Sequence, residues 1–172
     1  MVTRFKIILS LFLIIFLTSC EEKEVLNVGD YAPNFSLDNG KGKQVALKDL
    51  KGSYSLIFFF GRIDNSGTVE HLTKFKNTFQ FYQEKNIKLI GVSHVKQKLI
   101  DKKRNDLRLP FLILSDNEKQ MIKEYKIPTS FGAAKRISFL IDKNGIIQSI
   151  IEEKEVREHH NVLKLEIEKI AQ

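Results

Sequence analysis

The stretch Ser55-Leu56-Ile57-Phe58-Phe59-Phe60 constrains the fold more than any other part of the chain. A strand with one solvated face alternates apolar and polar residues. A strand that is apolar at every position is buried on both faces and belongs in the middle of a parallel or mixed sheet. Ile87 to Val92 is a second run of this kind. Between the two, Val69, Leu72, Phe75, Phe79 and Tyr82 recur at helical spacing and predict one helix. Lys96 to Leu107 reads as a mostly exposed helix, Phe111 to Leu114 as a short strand begun by Pro110, and Lys119 to Tyr125 as a short helix. Ile137 to Ile141 and Ile146 to Ile151 flank Asp142-Lys143-Asn144-Gly145, a turn-rich connector. Ahead of all these, Phe35 to Leu37 and Gln44 to Leu47 flank Asn39-Gly40 as a hairpin, and Leu47 to Leu50 forms one helical turn stopped by Gly52. Asn161 to Ile170 closes the chain as an amphipathic helix, with Val162, Leu163, Leu165, Ile167 and Ile170 on or near its buried side. This order predicts an α/β fold of the thioredoxin plan, a mixed central β-sheet flanked by helices.

The N-terminus carries an address. Arg4 and Lys6 precede Ile7 to Leu17, an apolar run broken only by Ser10. The run is shorter than the ~20 residues a membrane-spanning helix requires and suits a secretory signal. It ends in Leu17-Thr18-Ser19-Cys20, which resembles the bacterial lipobox. That resemblance implies alkylation of the Cys20 sulfur by diacylglycerol and cleavage before Cys20. Residues 1–19 are then a signal peptide, 20–27 the lipidated cysteine with a polar tether, and 28–172 one domain. The expected location is the cell envelope, anchored to a membrane and facing the periplasm or the outside. Cys20 is also the only cysteine. Disulfide frameworks, Cys-x-x-Cys pairs and cysteine zinc sites are thereby excluded, and the domain is held together by its core. The net charge of +7 comes largely from lysines dispersed among glutamates, with no basic block interleaved with aromatics. This argues against nucleic acid as a partner. No cofactor motif is present.

Further along, Val28-Gly29-Asp30-Tyr31-Ala32-Pro33-Asn34-Phe35-Ser36-Leu37 resembles the opening of the peroxiredoxins, V-G-x-x-A-P-x-F-x-L. The segments Leu47 to Gly52, Ile90 to Ser93, Leu109 to Phe111, Leu114 to Asp116 and Arg136 to Asp142 are similar to the family's following blocks, in order, and His160 also has a counterpart. The bacterioferritin-comigratory branch of the AhpC/TSA redoxins, also called peroxiredoxin Q, is the best match. The resemblance implies a thioredoxin fold and an antioxidant activity, the thiol-dependent reduction of peroxides. The family's active site reads P-x-x-x-T-P-G-C, and the aligned stretch here is Gly61 to Thr68. The proline becomes Gly61, the threonine Asn65, the peroxidatic cysteine Thr68 and the resolving cysteine Thr73. Gly67 and the counterpart of the catalytic arginine, Arg136, remain.

A peroxidatic cysteine reacts as a thiolate and passes to a sulfenic acid. A threonine hydroxyl is not ionised at neutral pH and cannot enter that ladder. Envelope thiol-disulfide reductases need Cys-x-x-Cys after the first core strand, and none is present. The first expectation is therefore a non-catalytic binding or interaction domain. The alternative is an oxidoreductase of altered mechanism using Arg136 with Thr68 or His71. Thr68 is expected to cap the helix, His71 to lie on the surface, and His159 and His160 to diverge. With His94 these histidines show no metal-ligand spacing, so no metal is expected. Asp64 and Glu70 read as solvated or capping charges. If Arg136 faces the amides of Gly67 to Val69, a small oxyanion is a candidate ligand; the other reading pairs Arg136 with Glu70. The aromatic cluster Phe79, Phe81 and Tyr82 is the candidate contact for a protein partner.

Overall fold

The computed structural model describes residues 25–152 and 155–170. The signal segment and Cys20 lie outside the described residues. The elements are β1 (Ser36–Asp38), β2 (Gln44–Ala46), a 3-10 turn (Leu47–Asp49), β3 (Tyr54–Phe59), α1 (Ser66–Asn77), α2 (Phe79–Glu84), β4 (Ile87–Ser93), α3 (Gln97–Leu107), β5 (Leu112–Ser115), α4 (Gln120–Glu124), β6 (Thr129–Ser130), β7 (Ala133–Ala134), β8 (Ile137–Ile141), β9 (Ile147–Glu152) and α5 (Val156–Ile170). The central sheet has the order β5-β4-β3-β8-β9. Strands β3, β4 and β5 run parallel, while β8 and β9 are antiparallel to their neighbours. This is the mixed sheet that the apolar runs predicted, with β3 at its centre and Leu56 to Phe60 entirely buried.

Side chains of β3 alternate between two cores. Ile57 and Phe59 point to one, with Tyr125 and Phe139. Leu56 and Phe58 point to the other, against Leu72 and Phe75 of α1 and Leu163 and Ile167 of α5. There Phe58 stacks on Phe75 with centroids 4.2 Å apart.

Several expectations need correction. The helix drawn through Val69 to Tyr82 is two helices. Its hydrogen-bonding is interrupted at Thr78, which adopts φ −104° and ψ 9° and whose Oγ1 donates to the Lys74 carbonyl at 2.9 Å. Such back-bonding by threonine competes with helix continuation. The last helix begins at Val156 rather than Asn161, and Val162 and Leu165 stand exposed while Leu163 and Ile167 are buried. The fifth strand starts at Leu112 rather than immediately after Pro110. The small β6–β7 hairpin was not expected. Its turn places both Phe131 (φ +48°) and Gly132 (φ +77°) in the left-handed region, the type I′ requirement of a two-residue hairpin. The aromatic cluster after α1 does not stand exposed: Tyr82 is buried, and Phe79 and Phe81 pack half-buried on the second core. Among the described residues the exposed aromatics are Tyr31 and Phe131.

Candidate functional site

The central strand ends at Phe59, and Phe60 closes onto β4 by donating its N–H to the Val92 carbonyl at 3.1 Å. The chain then turns at Gly61, whose carbonyl accepts from Ser93 Oγ at 2.7 Å. A Cβ on Gly61 would stand 2.8 Å from the Ala133 Cβ and 3.1 Å from the Ala134 carbonyl oxygen. The β6–β7 hairpin therefore closes on this turn only because residue 61 has no side chain. A proline ring there would push the hairpin away.

Helix α1 starts five residues later, at Ser66. Its N-cap is Asn65, in an extended conformation (φ −82°, ψ 152°), with Oδ1 accepting from the Thr68 N–H at 2.7 Å. The cap expected of Thr68 is thus supplied by Asn65, a stronger N-cap residue. Thr68 sits on the receiving side of that cap, in the first turn, and is fully buried. Its Oγ1 accepts from Arg136 Nη2 at 3.3 Å, and Asn65 Oδ1 lies 3.4 Å from the same nitrogen. Gly67 makes the approach possible: a Cβ there would be 3.0 Å from Arg136 Nη2. Asn65, Gly67, Thr68 and Arg136 are therefore brought together. Asn65, Thr68 and Arg136 line, with Gly61 and the hairpin, a surface cleft of about 310 Å³.

Thr73 does not join them in this contact set. Its hydroxyl donates to the Val69 carbonyl at 2.7 Å, within its own helix. Asp64 pairs with Arg62 at 3.0 Å on the surface. The hydrogen bond from Arg62 holds the Asp64 carboxyl below its usual range, and the same bond raises the guanidinium. Asp64 is thus a solvated ion-pair partner, as its loop position predicts.

The histidines depart furthest from the sequence reading. His71 is buried, not on the surface. Its ring meets Phe75 edge-on at 4.8 Å and Phe58 at 5.6 Å. His159 and His160 do not diverge to solvent. Both are buried, each with its ring centroid 5.3 Å from that of His71, and His160 also packs on Phe75 at 4.4 Å. His159 Nε2 shares a hydrogen bond of 2.9 Å with Ser138 Oγ of β8. A signal for this cluster was present. His159, Leu163 and Ile167 are spaced i, i+4, i+8, and His160, Leu163 and Ile167 i, i+3, i+7, which puts all of them on the buried face once the helix is extended back to Val156. Among the described residues no group of three or more His, Cys, Asp or Glu side chains could hold a metal ion.

Chemically, the cleft offers a guanidinium, a buried hydroxyl and the first turn of a helix. A buried threonine hydroxyl that accepts from an arginine has no base in this contact set to remove its proton, which a nucleophile of this type requires.

Residues 28–150 match the AhpC/TSA family. The peroxiredoxin Bcp of Escherichia coli K12 is 26% identical over 145 residues, covering 80% of this chain and 93% of that protein. The chloroplastic peroxiredoxin Q of Triticum aestivum is 30% identical over 137 residues, covering 77% of this chain and 62% of that protein. Among solved structures, the peroxidoxin BcpB of Mycobacterium tuberculosis superposes with a TM-score of 0.78 at 18% identity, over 84% of this chain and 98% of that one. The peroxiredoxin Q of Xanthomonas campestris gives 0.75 at 17% identity, over 87% and 100%. At these identities the structural likeness speaks for the fold, a thioredoxin-type α/β architecture.

Proposed function

The chain belongs to the AhpC/TSA family, and from the absence of any thiol in its candidate site we propose that it is an envelope-anchored peroxiredoxin-like domain that does not itself reduce peroxide and acts by binding. The observation that carries this reading is Thr68. It occupies the aligned position of the peroxidatic cysteine, is fully buried, and accepts a hydrogen bond from Arg136. The family's chemistry begins with a thiolate attacking a peroxide oxygen. Here the attacking atom is a hydroxyl oxygen, and no second thiol follows at Thr73 to resolve an intermediate.

Anchoring rests on the lipobox-like Leu17 to Cys20. Several acyl chains on one cysteine give stable membrane attachment where a single chain gives reversible binding. A lipidated Cys20 is a thioether, so it cannot replace the missing nucleophile. In this reading the domain faces the periplasm or the outside. Its ligand is either a small oxyanion, held by Arg136 beside the first turn of α1, or a protein partner.

The altered-enzyme reading gains little support from the geometry. His71 would have to serve as a base, yet its ring lies among Phe58, Phe75 and the other two histidines. The deciding experiment measures peroxide consumption by the full-length lipidated protein in detergent, with dithiothreitol and with a thioredoxin system. The expected result is no turnover above the thiol alone. Turnover abolished by Arg136→Ala overturns the proposal. Intact-mass analysis of the N-terminal peptide tests the anchor, with acylated Cys20 as its first residue expected.

A further inference from the structure

A second groove, of about 370 Å³, opens between the loop after β3 and helix α3, and Arg62 is the only residue it shares with the Arg136 cleft. One wall is a single stripe of α3. Leu99, Lys102, Lys103 and Asp106 follow the spacing i, i+3, i+4, i+7 and so lie on one helix face. The other wall is Arg62, Ile63 and Asp64, with Val95 from the turn before α3. We infer that this groove binds a small amphiphilic anion, an organic carboxylate whose aliphatic or aromatic part lies against Ile63, Val95 and Leu99 and whose carboxylate pairs with Lys103.

The apolar part of the site is already in place. Ile63 is buried and Val95 half-buried, both packed on the second core. Leu99, beside the fully buried Ile100, is 52% exposed and faces the groove. The aliphatic stems of Arg62, Lys102 and Lys103 extend this surface. Hydrogen bonds fix the walls without a ligand. Ser93 Oγ donates to the Gly61 carbonyl at 2.7 Å, the Val95 N–H donates to Ser93 Oγ at 3.3 Å, and Ser115 Oγ donates to the Val95 carbonyl at 2.8 Å. A ligand is thus spared the cost of ordering its own site. Small-molecule sites are mostly apolar clefts of about 300–1,000 Å³ with a few polar groups that fix orientation. The groove is at the small end of that range, which suits one ring or a short chain. A lipid surface, being flat, meets the charged rims before it reaches the floor.

The charges select the sign of the ligand. The lining holds three cations and two acids. Both acids are engaged within it: Arg62 grips Asp64 through bonds of 3.1 and 3.0 Å, and Lys102 meets Asp106 at 2.8 Å. Lys103 is the cation left over. It is half-buried beside the apolar floor, its charge reaches Asp64 only through space, and among the described residues it makes neither a hydrogen bond nor an ion pair. The surroundings are basic as well, with six cations and two acids from Lys96 to Arg108. The flanking charges, Glu70, Lys74 and Lys76 of α1 and Asp116, Glu118 and Lys119 after β5, are three of each sign and leave that excess unchanged. An ammonium beside an apolar floor matches a ligand that is apolar at one end and anionic at the other. A carboxylate gains a charge-assisted hydrogen bond there, stronger beside apolar surface than in open water.

The test uses the full-length chain in phosphatidylcholine nanodiscs, isotope-labelled in the methyl groups of Ile, Leu and Val and followed by NMR. It is titrated with hexanoate, butanoate, acetate and 1-hexanol. Hexanoate is expected to shift the methyls of Ile63, Val95 and Leu99 saturably, while those of Val162 and Leu165, exposed on α5, stay in place. Affinity should fall roughly fourfold for each methylene removed, and acetate should give no saturable shift. The alcohol keeps the chain and lacks the charge, so it should bind about tenfold more weakly than hexanoate. Lys103→Gln should bring hexanoate down to the affinity of the alcohol, and Leu99→Asn should abolish saturation, with the remaining methyl spectrum as in the parent. Groove methyls that do not move overturn the site. So do equal affinities for hexanoate and 1-hexanol, binding undiminished in Lys103→Gln, or equal shifts at Val162 and Leu165, which mean partition over the whole surface. A Glu-Phe-Glu tripeptide that binds more than about tenfold tighter than hexanoate overturns the small ligand in favour of an acidic protein segment. Thr68 and Arg136 line the other cleft, so none of these outcomes bears on the peroxide assay.

Discussion

Thr68 and His71 lie one turn apart on α1, and the two turns have opposite characters. In the proposed reading, the surroundings of Thr68 are those of a peroxidatic centre without its thiol. The Asn65 cap, the gap at Gly67 and the guanidinium of Arg136 all converge on a hydroxyl. Around His71 there is no counterpart in the active-site motif, yet buried imidazole rings gather among phenylalanines of the second core. The contrast teaches that the frame of a site is also architecture. Asn65 satisfies a helix N–H, and Arg136 holds β8 to the start of α1. Those contacts have a structural use with or without a thiol.

Thr68→Cys is the most severe test of that separation between frame and chemistry. A thiol at the start of α1 beside Arg136 is placed where helix N-terminus and cation both favour the thiolate. We expect stoichiometric oxidation by hydrogen peroxide, trapped as a dimedone adduct by mass spectrometry, against none in the parent. Adding Arg136→Ala is expected to slow the oxidation by at least tenfold. If Thr68→Cys stays unreactive, the remodelling at Gly61 and Asn65 has closed the site as well as disarmed it.

The second turn predicts a loss of stability instead. Phe75 touches Phe58, Tyr82, Phe111, His71 and His160. Phe75→Ala should cost about 3–5 kcal/mol in urea unfolding, the range for emptying a large buried aromatic site. Asn65→Ala in the first turn should cost less, about 1 kcal/mol, because it leaves the Thr68 N–H without its acceptor. A larger loss from Asn65→Ala than from Phe75→Ala would invert the comparison and make the first turn the keystone.

Much of the fold is legible in the sequence, for physical reasons. Burial on both faces leaves continuous apolar runs, so β3 and β4 follow from residue type alone. By the family resemblance Gly67 and Arg136 are the retained motif positions and Gly61 and Thr68 the replaced ones, although only geometry reveals that Gly61 makes room for Ala133 and Gly67 for Arg136. The break at Thr78 is hidden because Phe79 and Tyr82 continue the apolar spacing across it. The histidine cluster is hidden wherever residue type outweighs spacing: His159 and His160 are polar by type, while their phase with Leu163 and Ile167 places them inside. The β6–β7 hairpin carries no strand signal, being two pairs of residues held by a strained turn.

The smallest predicted effect concerns His94, a half-buried histidine just past β4, well apart in character from the buried cluster. Burial is the main cause that lowers its pKa from the ordinary 6.5, aided by Lys119 and opposed by Asp116. The folded protein therefore resists a proton that the unfolded chain accepts. As pH falls below 6.5 the unfolded state binds more protons, and the stability contributed by neutral His94 is lost through the window down to its folded value. Asp116 has the opposite sign. Burial raises its carboxyl above the ordinary 3.8 against the N–H groups that favour its charge, so in the carboxylate range the folded state takes up the proton first and stability rises as pH falls. His94→Gln should therefore flatten the decline below 6.5 and, by removing the charge that lowers the Asp116 pKa, steepen the rise at lower pH, read from urea midpoints across a pH series. Whatever slope survives in the variant belongs to the rest of the chain, and a slope equal to that of the parent would show that His94 is solvated enough to titrate alike in both states.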